Sequence, residues 1–146
     1  MKQNKPTSTN KLNKFLLMQS LDVPAFPDDF KPFDESRYPE LTDEQLLALH
    51  QNGVTNALAE LEVRYYMKRI VCAHMVMPNI HDKLDESSIS EAFFTAIYSS
   101  VRNFNWKAKF ITFFHCVYRN ELIRENQQQL SLLYIMQLRF LGFYYG

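Results

Sequence analysis

Two short stretches of the sequence contain thiol and imidazole side chains, which are ligands that Zn²⁺ prefers. Cys72 is followed two residues later by His74, and His115 directly precedes Cys116. On a helix, residues one or two apart point in different directions, whereas a metal usually draws on side chains three or four apart. We therefore expect buried thiols and ordinary helix histidines here, and no metal site.

Acidic side chains are the next candidates for chemistry. Asp82, Asp85, Glu86 and Glu91 lie within ten residues and could be read as an acid/base pair, but this pattern is more typical of a solvated helix start. The sequence contains neither a glycine-rich phosphate loop nor a nucleophile motif. We predict a protein that is not an enzyme and needs no cofactor.

The segment from Asn103 to Glu125 combines aromatic rings with positive charge. Six aromatic residues lie among four cations and two acids, and a fifth cation, Arg102, directly precedes the segment, in a chain whose formal net charge is zero. Aromatic side chains stack on nucleobases and cations follow phosphates, so this mixture is typical of a site for single-stranded nucleic acid.

The alternative interpretation of this aromatic segment is that its rings are core. For Phe114 and Val117, at helical spacing, we expect burial. Six aromatics exceed what one helix face buries, however, and Trp106 is expected in a loop between Asn105 and Lys107. From the residues alone both interpretations stay open.

Helices must position these residues. The chain contains three glycines and few β-branched runs, which predicts an all-α fold, a compact helical bundle. Thr42 and Gln45 form a capping box that starts a helix ending at Gly53. A longer helix is predicted over residues 54–77, until Pro78 stops it.

Further helices are predicted in the second half of the chain. Ser88 and Glu91 form another capping box, and the helix it starts runs to about Asn103 with a core face made by Ile89, Phe93, Ile97, Val101 and Phe104. A loop at 105–107 precedes a helix over residues 108–128. Residues 129–146 form a C-terminal helix or tail.

The first 40 residues are predicted to be a partly irregular leader, because four prolines lie between residues 24 and 39. Residues 22–44 contain eight acids and two cations. We consider a regulatory arm whose Phe26, Phe30 and Phe33 dock on the domain while its acids shield the basic segment.

Overall composition argues against a disulfide-rich, a membrane-spanning or a secreted protein. Two cysteines are too few for a disulfide framework, and no apolar run approaches the roughly 20 residues of a membrane span. The N-terminus carries lysines without the apolar core of a signal peptide. We expect a cytoplasmic protein without a membrane partner.

The order of these motifs resembles region 2 of the bacterial sigma factor family, particularly its small extracytoplasmic-function members. The resemblance rests on "LTDEQLLALHQNGVTNALAELEVRYYMKRI", "SISEAFFTAIYSSVRNF" and "KFITFFHCVYRNELI", in that order. It covers residues 41–128 as a region 2-like helical domain. The final "LYIMQLRFLG" looks like the opening of region 4, the family's second DNA-binding domain, and no recognition helix follows it.

The resemblance implies two partners and the residues that bind each. Core RNA polymerase, through its largest-subunit clamp helices, would be contacted by Ile89, Ser90, Glu91 and Phe93. Promoter DNA, mainly the single-stranded −10 element, would be contacted by a base-capturing loop and a melting helix. The DNA-binding residues are Asn103, Asn105, Trp106, Lys107, Lys109, Phe110, Phe113, Arg119 and Asn120.

The sequence departs from the family at some of these positions. Ser87 and Ser88 stand where acids are usual, and Phe113 replaces a tryptophan. We therefore carry two functional hypotheses. One is a sigma-like initiation factor that binds polymerase and opens −10 DNA, and the other is a degenerate sigma-like interaction module that binds polymerase or an anti-sigma-like regulator without opening DNA.

Overall fold

The structure is a computed structural model, and it describes residues 8–145 of the chain. The regular secondary structure in this range is helical. No strand occurs within this range, and the prediction of an all-α fold is confirmed. The helices are α1 Thr9–Leu17, α2 Asp43–Gln51, α3 Asn56–Met67, α4 Arg69–Val76, α5 Glu86–Asn103 and α6 Phe110–Tyr145, with short 3₁₀ turns at Glu35–Glu40 and Ile80–Asp82.

Local capping residues set the starts of α2 and α5. The capping box at α2 is confirmed, since Thr42 and Gln45 exchange side-chain and backbone hydrogen bonds of 2.9 and 3.1 Å. The capping box expected at Ser88 is wrong. Asp85 caps α5 instead, accepting a 2.8 Å hydrogen bond from the Ser88 N–H, so the helix begins earlier and Ser88 lies inside its first turn.

The single helix expected over residues 54–77 is two helices. Lys68, with φ −103° and ψ 3°, separates α3 from α4. The Arg69 carbonyl just beyond this break accepts a 2.9 Å hydrogen bond from the Tyr118 hydroxyl on α6. The break thus lets both α3 and α4 pack against α6. Helical periodicity in the sequence does not reveal this requirement.

Helix α6 is longer than either helix expected from the sequence. Residues 110–145 form one helix with no interruption near 128, because neither glycine nor proline occurs there to end it. Its first free N–H, on Phe110, donates a 2.9 Å hydrogen bond to Glu44 Oε2, which fixes the start of α6 on α2.

Residues 8–40, the described part of the predicted leader, are an integral part of the core; residues 1–7 lie outside the described range. Leu12 and Leu16 of α1 are buried, and the Asn13 side chain makes two hydrogen bonds to the backbone of Phe26 at 2.8 and 3.1 Å. Phe26 stacks on Phe30 with ring centroids 4.9 Å apart, and both are buried. Of the three phenylalanines expected to dock, Phe33 does not, since it is 53% exposed.

An aromatic cluster joins the long helices. Phe93 of α5 lies 5.9 Å from Phe114 and 6.0 Å from Tyr118 of α6, and Tyr65 of α3 contacts Phe110 and Phe114 at 5.3 and 4.8 Å between ring centroids. Burial raises the pKa of the Tyr65 hydroxyl, which donates a 2.6 Å hydrogen bond to an Asp43 carboxylate oxygen.

The burial of α1 predicts a stability difference between two leucines of the same helix. Leu12→Ala is expected to lower the free energy of unfolding by about 2–5 kcal/mol, because it leaves a cavity in the core. Leu17 is 86% exposed, so Leu17→Ala should change it by less than about 0.5 kcal/mol. Urea denaturation followed by circular dichroism measures both, and equal small effects would show that α1 is dispensable.

Candidate functional site

The first half of α6 presents two opposite faces. Phe110, Phe114, Tyr118 and Leu122 recur every four residues and are fully buried. The opposite side is exposed and polar, and we call it the α6 stripe; its members are Lys109, Thr112, Cys116, Arg119 and Asn120. Spacings of three and four residues place these side chains in one row along the helix, with Lys109 just before its first turn.

The α6 stripe carries uncompensated positive charge. Lys109 and Arg119 are exposed, as are Lys107 in the preceding loop and Arg102 at the end of α5. Among the ion pairs of residues 8–145 none involves these four cations, whereas Arg124 on the next turn is paired with Glu121 at 3.4 Å. The four cations are therefore available to an anionic ligand.

The loop between α5 and α6 has an inward-facing tryptophan. Trp106 is 5% exposed and adopts a left-handed φ of 62°, a conformation uncommon for a residue with a large side chain. Its indole N–H donates a 3.1 Å hydrogen bond to Gln51 Oε1, and its ring meets Phe15 edge-on at 5.5 Å. Ser20 donates a 2.8 Å hydrogen bond to the Trp106 carbonyl, so the leader also holds the loop.

Two of the aromatics expected to contact DNA are therefore core residues. Trp106 and Phe110 have no ring face open to a nucleobase, because the leader, α2 and α3 pack against them. Phe113 is partly buried against Phe104, at 5.8 Å between ring centroids. The structure brings the six polar members of the expected DNA set to the surface: Asn103, Asn105, Lys107, Lys109, Arg119 and Asn120.

The residues expected to contact polymerase divide in the same way. Ile89 and Phe93 are fully buried, so their assignment as contact residues is wrong: they form the core face of α5. Ser90 is partly buried and its hydroxyl accepts a 3.2 Å hydrogen bond from Arg69. Glu91 is exposed.

An exposed apolar surface lies beside Glu91, and sequence reasoning missed it. We call it the α3–α5 patch; it comprises Val63, Tyr66, Phe94 and Tyr98, which are 38–60% exposed. Tyr66 stacks on Phe94 with ring centroids 5.8 Å apart, and the Arg69 guanidinium lies 4.0 Å from the Tyr66 ring centroid. The periodicity of α5 already placed Phe94 and Tyr98 opposite its core face, which is the signal that could have found them.

The thiol and imidazole groups lie in different environments. Cys72 is buried, which raises the pKa of its thiol, and Cys116 is exposed on the α6 stripe. Burial lowers the pKa of His115. Within residues 8–145 no group of three or more potential metal ligands is found, and no helix is long and apolar enough to cross a membrane.

Comparison of the chain with protein-family models, with curated proteins and with solved structures finds no match. The resemblance to sigma factor region 2 therefore stays a prediction that rests on the motifs themselves.

The expected DNA-binding residues include buried and exposed side chains, so truncating them should have unequal effects on stability. Trp106→Ala should cost about 3–5 kcal/mol of stability, because it empties a core site. Asn120→Ala, at an exposed position of α6, should stay within about 0.5 kcal/mol of the unchanged protein. Thermal unfolding measures both, and a Trp106→Ala protein as stable as the unchanged one would contradict the inward placement of the indole.

Proposed function

We propose that this chain is a sigma-like transcription factor whose α6 stripe binds promoter DNA while the α3–α5 patch binds core RNA polymerase. The observation that carries the proposal is the row of exposed cations without an ion-pair partner on the α6 stripe and its loop, with exposed amides beside them. That row falls where the resemblance to sigma region 2 puts the DNA-melting helix. Because the exposed side chains of this row are polar, we expect polar side chains to make most of the contact with DNA.

Each kind of side chain in this row suits one part of a DNA strand. Arg102, Lys107, Lys109 and Arg119 are suited to phosphates, which carry the sequence-independent part of affinity. The amide of Asn120 can donate to and accept from a base edge. Trp106 and Phe110 contribute indirectly, since their burial fixes the loop and the start of α6 beneath these contacts.

The number of phosphate contacts predicts a salt dependence. For single-stranded DNA, the logarithm of the association constant falls with log salt by about 0.7 per phosphate contacted. Four cations therefore predict a slope near −3. The Lys109→Gln and Arg119→Gln double variant should reduce the slope by about 1.4 and lower affinity roughly 20-fold at 0.1 M salt. Fluorescence anisotropy with a labelled −10 oligonucleotide measures both quantities.

A matched control uses two exposed lysines outside the α6 stripe. The Lys31→Gln and Lys83→Gln double variant removes the same charge from the leader and from the turn before α5. It should keep the slope and most of the affinity. Equal losses in the two double variants, or no oligonucleotide binding at low salt, would refute the assignment of DNA to the α6 stripe.

The α3–α5 patch is suited to a protein partner. Aromatic residues are enriched, relative to the rest of the surface, where proteins bind one another. Phe94 and Tyr66 form a stacked pair, and Glu62 and Val63 complete the depression around them. Glu91, on the adjacent surface of α5, supplies a negative charge that can select a basic partner.

Binding of purified core polymerase tests this half of the proposal. Phe94→Ala should weaken binding by about tenfold or more, the usual effect of removing an interface anchor. Leu17→Ala, at an exposed leucine on α1, should leave it unchanged. Absence of any association with core polymerase, even at low salt, would refute the docking assignment whatever the DNA result.

Burial of Trp106 and Phe110 favours a second candidate function, an interaction module that occupies polymerase or a regulator without opening DNA. With these two rings in the core, the loop offers no aromatic face to a flipped base. Two measurements distinguish the two functions. An interaction module should bind core polymerase, but it should leave the anisotropy of the labelled −10 oligonucleotide unchanged at every salt concentration.

A further inference from the structure

The distal part of α6 extends past the bundle with its apolar side chains in solvent. Gln129 still connects α6 to the bundle, because its amide donates a hydrogen bond to Ser88 on α5. Beyond it, large apolar residues on every side of the helix are 46–64% exposed: Leu130, Leu132, Leu133, Tyr134, Ile135, Met136, Leu138 and Phe140. We call residues 130–140 the distal segment.

A helix with this pattern is expected to be covered. Apolar residues all round a helix are typical of one buried among other elements, whereas a solvated helix has a polar face. The sequence from 126 to 138 has no charged residue, and Arg139 is the one charge from 126 to 140. Arg139 is therefore the one charge in the segment that repels a second copy of itself.

The exposed area is of the size that a protein contact needs. Eight large side chains, each with roughly 100 Å² in solvent, offer on the order of 800 Å² per molecule, comparable with one partner's share of a standard interface. Two helices in contact cover only part of this area. The association should therefore be at the weak end of the specific range and depend on protein concentration.

One stripe of the distal segment is self-complementary. Leu133, Met136 and Phe140 follow the spacing of three and then four residues that characterises helix pairing, and with Gln137 they line a shallow groove. If two copies pack antiparallel, Leu133 of one lies opposite Phe140 of the other and Met136 lies near the two-fold axis. Each copy then presents the same surface to its partner, as a two-fold contact requires.

We propose that the distal segment is a self-association surface, occupied by the distal segment of a second copy through Leu133, Met136 and Phe140. This proposal does not depend on the DNA or polymerase assignments. The concentration-dependent dimer would form from this chain alone. Its contact would involve neither the α6 stripe nor the α3–α5 patch, so both would stay open in each copy.

Sedimentation equilibrium of the full chain, from about 1 to 300 μM, tests the proposal. The weight-average mass should rise from the monomer's 17.3 kDa toward twice that value. Met136→Lys and Met136→Glu each place like charges near the two-fold axis, so each variant should stay monomeric across the range. An equimolar mixture of the two should restore the dimer, because opposite charges then meet there.

A control variant lies on the opposite side of the same helix. Leu138 is 49% exposed and points away from the proposed stripe, so Leu138→Lys should dimerise like the unchanged chain. All three variants should unfold at the same temperature as the unchanged chain when compared at low concentration, since these side chains pack on no core. A chain that stays monomeric to 300 μM, single variants that still dimerise, or a mixture that stays monomeric would each overturn the proposal.

Discussion

Phe114 contacts the rings of Tyr65, Phe93, Phe110 and Tyr118, so three helices meet at one fully buried side chain. This cluster fixes the rotation of α6 about its own axis. Because Phe110, Phe114, Tyr118 and Leu122 must face inward, residues on the opposite side of the helix must face solvent, and the α6 stripe follows from that single constraint. The same cluster holds Phe93 inward, which turns Phe94 and Tyr98 outward and creates the α3–α5 patch.

The start of α6 is held by contacts that come from far along the chain. Glu44 accepts a hydrogen bond from the Phe110 N–H, Gln51 accepts one from the Trp106 indole, and Ser20 donates to the Trp106 carbonyl. Such contacts keep the loop in a left-handed conformation that Trp106 would not favour alone. A loop so restrained presents Asn105 and Lys107 in fixed positions, which suits recognition by polar side chains.

Most aromatic residues near the candidate site stabilise the core and do not lie at the surface. A segment rich in both rings and cations is compatible with stacking on bases, but burial of apolar area stabilises the domain and leaves few rings at the surface. The rings of Phe104, Trp106, Phe110, Phe114 and Tyr118 are all buried here. The cations cannot follow them inside, because an unpaired buried charge is costly, and the two kinds of residue therefore separate into core and surface.

Sequence periodicity alone determined the helical class, the capping box at Thr42 and the inward face of α5, because these depend on residues within four positions of one another. It could not determine that α3 and α4 are separate, that α1 belongs to the core or that Trp106 points inward. Those outcomes depend on contacts such as Trp106 with Gln51 and Phe15, which are 55 and 91 positions away along the chain. Tertiary packing decided them, since the free energy of burying a ring depends on which distant residues surround it.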